Sequence, residues 1–436
     1  MKRHGQLMEA IAEPANLRLA FWKAAKSKRA KADCRAFQER LEENVASLRA
    51  ELLSGSVAVG EYHTFTIYDP KERTICAASF RERVLHHALM NVCEPVLERA
   101  AIFDSYACRK GRGQQVAVRR ATGYARQNGW FLKMDIRKYF DSIDQEVLRG
   151  LLARKFKDAG VLEVFDRILA TYQTAPGRGL PIGNLTSQHF ANYYLAPLDR
   201  FIKEGLQCRS YVRYMDDFVV WGETAAELRE VWRRGEDFLT TELKLELKSN
   251  VMLNRTERGM DFLGYRIFPD DLRLARRSKR RFASKFRGYE REHRDGVWSE
   301  LDLQQRMTAL IAFTLPCRSG GFRRNVIERF GAEANGLQPR AARRQLEQQR
   351  QQRALCQPQQ QQPGQRQQQQ QRFPDCFGPS STRWPQCCLA DPAAVPSPDP
   401  VVRGEEQEQG AGVSSAEHSA KAPVLPFQET HDPTHP

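Results

Sequence analysis

Apolar and polar positions alternate along this chain in blocks whose period changes from helical to extended and back. Over Leu17–Lys26 and Phe37–Leu53 the apolar residues recur at three and four, with charges between, which predicts two amphipathic helices. Tyr62–Ile75 then carries β-branched and aromatic runs on both sides of Asp69-Pro70-Lys71-Glu72, a hairpin pattern. Helical spacing returns over Ser79–Val92 and from about Gln114. A strand follows at Phe131-Leu-Lys-Met-Asp-Ile-Arg-Lys-Tyr-Phe140, then helices over Asp144–Phe156 and Phe190–Phe201. Tyr211-Val-Arg-Tyr-Met-Asp-Asp-Phe-Val-Val-Trp221 reads as strand, tight turn, strand, with Asp216 and Asp217 at the tip. A helix over Ala225–Leu243 leads to two strand-like stretches, Leu245–Lys248 and Phe262–Phe268. Residues 273–331 are basic and helical. After Gly331 the pattern stops, and Gln345–Gln371 is dominated by Gln and Arg, which predicts a disordered tail.

The acids change the picture most. Two adjacent carboxylates between apolar flanks are held against a core and repel each other unless a cation stands near. Asp135, at the end of its own apolar run, supplies a third. Hard carboxylate oxygens suit magnesium, and three acids on neighbouring strands can hold two ions for in-line displacement at phosphorus. Asp141 and Asp144 read as helix-capping acids instead. Adjacent His86 and His87 point to different faces of a helix and make a poor metal pair, so they read as packing residues.

Charge gives the partner. The 436 residues carry a formal charge of +15, which favours a polyanion. Arg109, Lys110 and Arg112 surround two glycines ahead of a helix start, a setting phosphate favours, although the glycine spacing fits neither a Walker loop nor a dinucleotide fingerprint. The 10 cysteines form no Cys-x-x-Cys pair and read as reduced thiols of a cytoplasmic protein. Met1-Lys-Arg-His-Gly lacks an apolar signal core, and no apolar run is long enough for a membrane span.

Tyr214-Met-Asp-Asp217, with Asp135 upstream, resembles the signature of reverse transcriptases, and the order of blocks from about 60 to 330 resembles that family too. The resemblance implies an α+β right-hand polymerase fold. Its divisions would be an N-terminal helical region at 1–60 and fingers at 61–130. A palm at 131–270 would carry the Asp-Asp hairpin on an antiparallel sheet, with a fingers segment at about 146–190. A helical thumb would occupy 271–331 and a low-complexity tail 332–436. It also implies a magnesium pair at Asp135, Ile136, Asp216 and Asp217, with Lys248 as proton donor to pyrophosphate. The dNTP would meet Arg73, Arg109, Gln188 and Phe140; the last, five residues after Asp135, would reject a ribose 2′-hydroxyl. Phe262-Leu263-Gly264-Tyr265 resembles a primer grip.

One block departs from the usual Gln-Gly followed by Ser-Pro. Here Ile182-Gly183 and Ser187-Gln188 stand in those places, a form similar to the enzymes of diversity-generating retroelements; Phe80–Leu89 and Tyr106–Arg109 are similar as well. That resemblance implies a template-repeat RNA, a primer and cDNA, errors opposite adenines in which Ile182 and Gly183 take part, and a small basic accessory protein. Retron-type or defence-associated reverse transcriptases, and a non-catalytic RNA-binding protein with the same fold, are the alternatives. The tail fits the same idea: a CAA run read one base out of frame gives AAC, asparagine. Shifted text from Leu346–Gln348, Cys356–Gln359 and Arg372–Cys376 would resemble an Asn-rich variable repeat. A Gln-rich linker is the other reading of the tail, and CAG codons would favour it.

Overall fold

A computed structural model of the chain describes residues 3–68 and 72–331. The tail from 332 and the hairpin tip at 69–71 lie outside the described residues.

Four helices lead the chain: α1 (Met8–Ala12), α2 (Pro14–Ala24), α3 (Ala32–Glu39) and α4 (Leu41–Ser54). The single helix expected over 37–53 is therefore two. The helical path breaks at Arg40 (φ −118°, ψ 39°), and the Asn44 side chain donates 3.1 Å to the carbonyl of Phe37 at the break. The α4 helix ends on Gly55 at φ +71°, a left-handed cap that favours glycine. Strands β1 (Tyr62–Ile67) and β2 (Arg73–Ala78) pair antiparallel as expected, Tyr62 opposite Ala78 and Ile67 opposite Arg73. Helix α5 (Phe80–Glu98) runs past the predicted Val92 and includes Pro95; it packs on α2 and the first core cluster. Ser79 caps it by accepting from Glu82 N–H.

Helix α6 (Gln114–Gln127) leads into β3 (Trp130–Asp135), followed by α7 (Tyr139–Ser142), α8 (Gln145–Ala153) and α9 (Ala159–Ala170). Asp144 caps α8 through Val147 N–H, the role its position predicts. Next come α10 (Leu185–Tyr194), α11 (Ala196–Arg200) with a π-turn over 201–205, then β4 (Tyr211–Tyr214), β5 (Asp217–Gly222) and α12 (Ala225–Glu242). The alternating Leu245-Glu-Leu-Lys248 is not a strand. Only Leu247 bridges, to Ile136, and the pairing strand is β6 (Met252–Arg255). That bridge is flanked by Arg137 N–H to the Glu246 carbonyl and Lys248 N–H to the Asp135 carbonyl, each at 2.8 Å, so the stretch runs antiparallel past the end of β3 for one bridge only, with Leu245 buried in the larger core. Strands β7 (Met260–Phe262), β8 (Tyr265–Ile267) and β9 (Leu272–Leu274) form a small sheet, and three helices close the described chain: α13 (Arg276–Arg294), α14 (Glu300–Ala312) and α15 (Gly320–Phe330).

The central sheet has the order β4-β5-β3-β6, all antiparallel. One face contributes Leu132, Met134, Phe218 and Val220 to the larger core. The other gives Phe131, Val219 and Trp221 to a second core shared with α6 and the β7-β8-β9 sheet. Burial on both faces explains the unbroken apolar runs beside the acids.

Candidate active site

The register of β3 against β5 decides the site. Asp135 lies directly opposite Asp217, the last residue of one strand against the first of the other. Asp216 sits one residue earlier, in the β4–β5 turn, and its carbonyl accepts from Ile136 N–H at 3.4 Å. Two strands distant in sequence thus bring three acids to one end of the sheet. The turn is tight because Met215 adopts φ +57°, a left-handed conformation that costs an ordinary residue.

Two lysines answer this negative charge. Lys133 Nζ donates 2.9 Å to Asp217 Oδ2 and 2.9 Å to the carbonyl of Asp261. Lys133 lies two residues before Asp135, on the same pleat face and diagonal to Asp217. On the other side, Lys248 Nζ stands 2.6 Å from Asp135 Oδ1, and Lys248 N–H donates 2.8 Å to the Asp135 carbonyl. Asp217 Oδ1 is buried with no partner, and Asp135 Oδ1 has Lys248 close by without hydrogen-bond geometry. Burial pushes the Asp217 carboxyl up to about 6; Lys133 pulls the other way, and Asp135 and Asp216 add to the push. Burial first and Asp135 next push Asp216 up to about 6 as well.

Among the described residues no group of three His, Cys, Asp or Glu side chains stands ready to enclose a metal ion. Yet the donor chemistry fits one. The oxygens are hard, crowded and desolvated, and an orphaned buried carboxylate oxygen at Asp217 wants a cation.

The other predicted residues lie on several elements around the acids' strands. Phe140 follows in α7, half-buried, its ring edge-on to Tyr139 at 5.8 Å and its carbonyl accepting from Leu180 N–H at 2.8 Å. Ile182 and Gly183 dock against β2: the Ile182 carbonyl accepts from Cys76 N–H at 2.8 Å. Gly183, at φ +119°, faces Ile75 so closely that a Cβ would stand 2.9 Å from its side chain. Gln188, on α10, accepts a long 3.6 Å contact from Cys108 Sγ. Arg73 is exposed at the start of β2.

Leu263 and Gly264, at φ +47° and +85°, make a two-residue turn between β7 and β8. Gln114 Nε2 donates 2.7 Å to the Leu263 carbonyl, while Phe262 and Tyr265 are buried. Lys133 lies 5.6 Å above the Phe262 ring, so this sheet abuts the acids.

Arg109 departs from expectation. Its side chain is 6 % exposed; it pairs with Glu98 at 2.7 Å and donates to the carbonyls of Ile102 and Ser105. A guanidinium spent on its own loop is not offered to a triphosphate. Arg112 lies 3.9 Å above the exposed Phe103 ring.

Sequence reading missed two residues. Lys133 was detectable from its position two before Asp135. Arg213 was not, because an arginine in a strand ordinarily points to water; here it is fully buried. His86 Nε2 faces Glu82 Oε1 at 3.4 Å inside the core, and burial pushes the His87 imidazole down to about 4.

Residues 69–267 match the family described as reverse transcriptase (RNA-dependent DNA polymerase). The chain is 24% identical over 278 residues to Protein YkfC of Escherichia coli, covering 53% of this chain and 72% of that protein. It is 29% identical over 146 residues to the group II intron-encoded protein LtrA of Lactococcus lactis, 30% of this chain but only 23% of that one. Among solved structures, a telomerase from Candida albicans is similar with a TM-score of 0.40 at 12% identity, covering 58% of this chain and 55% of that one.

Proposed function

From the premise that residues 69–267 are a reverse transcriptase segment, the catalytic part of an RNA-directed DNA polymerase and so of a nucleotidyltransferase, we propose that this chain copies a template-repeat RNA into cDNA with errors opposite adenines, to diversify a target gene. The observation that carries the polymerase part is the antiparallel register that sets Asp135 opposite Asp217 beside Asp216. The departure at Ile182-Gly183 and Ser187-Gln188, and the reading of the Gln-rich tail, support the diversifying part.

The reaction is attack of a primer 3′-hydroxyl on the α-phosphorus of a dNTP, with pyrophosphate leaving. Asp135, Asp216, Asp217 and the carbonyl of Ile136 would hold two magnesium ions, which lower the hydroxyl pKa and neutralise charge on the phosphates. The chain's own residues do the rest. Phe140 closes the side where a 2′-hydroxyl would lie. Lys248, 2.6 Å from Asp135, would give a proton to the leaving group. The arginines and lysines of α13 track phosphates of the template–primer, in a salt-dependent way. In this reading the right-hand division into fingers, palm and thumb holds over residues 61–331, the site is cytoplasmic, and a small basic accessory protein joins the complex.

Primer extension on an RNA template tests it. Asp216→Ala folds as wild type and leaves extension at background; wild-type extension by that variant removes Asp216 from the site. Sequencing the cDNA separates the roles: errors concentrated at template adenines support diversification, and errors spread over four bases favour a retron-type or defence-associated enzyme. Absence of magnesium-dependent extension by the wild type favours a non-catalytic RNA-binding protein. If the glutamine codons of the tail are mostly CAG, the off-frame reading of the tail fails.

A further inference from the structure

Arg213 stands on β4, two residues ahead of Met215, with no exposed surface. Its five N–H donors are all used. Nε donates 2.7 Å to Asp199 Oδ1 and one Nη2 hydrogen 2.6 Å to Asp199 Oδ2, a bidentate fork. The other Nη2 hydrogen reaches the Asn192 carbonyl at 3.1 Å. Nη1 reaches Asn192 Oδ1 at 2.9 Å and the carbonyl of Met215 at 3.0 Å. Tyr211 OH completes the set by donating 2.7 Å to Asp199 Oδ1.

A pure core ion pair would need only Asp199. Burying such a pair is seldom a gain over apolar side chains of the same volume, so its presence asks for another reason. The three remaining bonds point to one. Together with the Asp199 fork they tie two neighbouring helices, through Asn192 of α10 and Asp199 of α11, to the carbonyl of Met215. Met215 is the residue at φ +57° whose peptide bond leads into Asp216. An unsupported left-handed methionine relaxes readily; a planar guanidinium with fixed donors does not let it.

We propose that Arg213 is the positioning residue of the Asp216–Asp217 turn, holding the Met215 peptide so that the two carboxylates stand ready for a divalent cation. This rests on the function proposed above. Lysine cannot substitute, because one ammonium cannot span Asp199, Asn192 and Met215 together.

The test uses the full chain as wild type, as Arg213→Lys, and as the double variant Arg213→Met with Asp199→Leu, which removes both charges at once. Thermal unfolding reports the fold, electron paramagnetic resonance of added Mn²⁺ reports cation binding without nucleotide, and magnesium titration of primer extension reports function. The expected result is a double variant that melts within a few degrees of wild type. Its Mn²⁺ binding is at least tenfold weaker and its magnesium half-saturation raised by a similar factor, with KM for template–primer unchanged. Arg213→Lys moves both cation readouts the same way. A folded variant with wild-type Mn²⁺ binding and magnesium dependence overturns the proposal. So does loss of folding in both variants, which assigns the network to stability alone. Wild type without magnesium-dependent extension counts against the polymerase reading, while Mn²⁺ binding still judges Arg213.

Discussion

Neutralising one acid should make the metal-free protein more stable. Asp217 is the sharpest case: its side chain is 21 % exposed, Asp135 faces it across the strands, and its carboxyl is pushed from 3.8 up to about 6. Two effects compete there. Burial and two neighbouring acids penalise the charge; the Lys133 ammonium at 2.9 Å favours it. The upward direction says that the penalty wins. That rise corresponds to about 3 kcal/mol against folding once the group is ionised. Because the folded pKa lies above the unfolded one, the native state holds the proton longer. Stability from this group is therefore greatest below 3.8, falls as pH rises to about 6, and stays low above. Asp217→Asn carries no charge at any pH. In EDTA at pH 7.5 it should melt about 4 °C higher than wild type, given the entropy of unfolding typical of some 300 residues. Near pH 4 the two curves should meet. Scanning calorimetry in EDTA from pH 4 to 8 decides. A variant that melts lower than wild type at pH 7.5 shows that the Lys133 pair outweighs desolvation, and the argument that the site demands a cation loses its energetic basis.

Two further outcomes concern the buried arginine and a left-handed glycine. Asp199→Ala strands the buried Arg213 guanidinium and should cost about 3–5 kcal/mol in urea unfolding, the range for breaking one side of a buried pair. Gly259 sits at φ +75°, where a Cβ would come 2.5 Å from the Phe268 ring, so Gly259→Ala should lower stability by roughly 1–3 kcal/mol, read as a shift in urea midpoint with unchanged slope.

The hairpin over 211–221 was legible because apolar runs flank the acids on both sides and the sheet is buried on both faces. The start of α6 at Gln114 and the Asp144 cap were legible for local reasons, a glycine at the N-terminus and a carboxylate three residues before a free N–H. What failed was non-local. Leu245–Lys248 alternates like a strand, but it makes one bridge only, Leu247 to Ile136 just past β3, while Met252–Arg255 takes the ladder along Trp130–Lys133, and no period in the sequence states that division. Arg109 sits among glycines and cations as a phosphate ligand would, yet Glu98, the last residue of α5, claims it. Arg213 is opaque for the same reason: the acid that lets it be buried lies fourteen positions earlier, on α11.

The docking of β2 on α10 has a mechanical consequence. Cys76 N–H holds the Ile182 carbonyl and Ala78 N–H reaches Asn184 Oδ1 at 3.3 Å, so the two-stranded hairpin is pinned to the leading end of α10. Asn192, near the trailing end, grips Arg213. A helix of 10 residues is a strut about 15 Å long. Through it, hydrogen bonds at Asn184 and Asn192 join the strand that begins with Arg73 to the arginine that holds the aspartate turn, so the hairpin and the seating of the acids share one short helix as their common support.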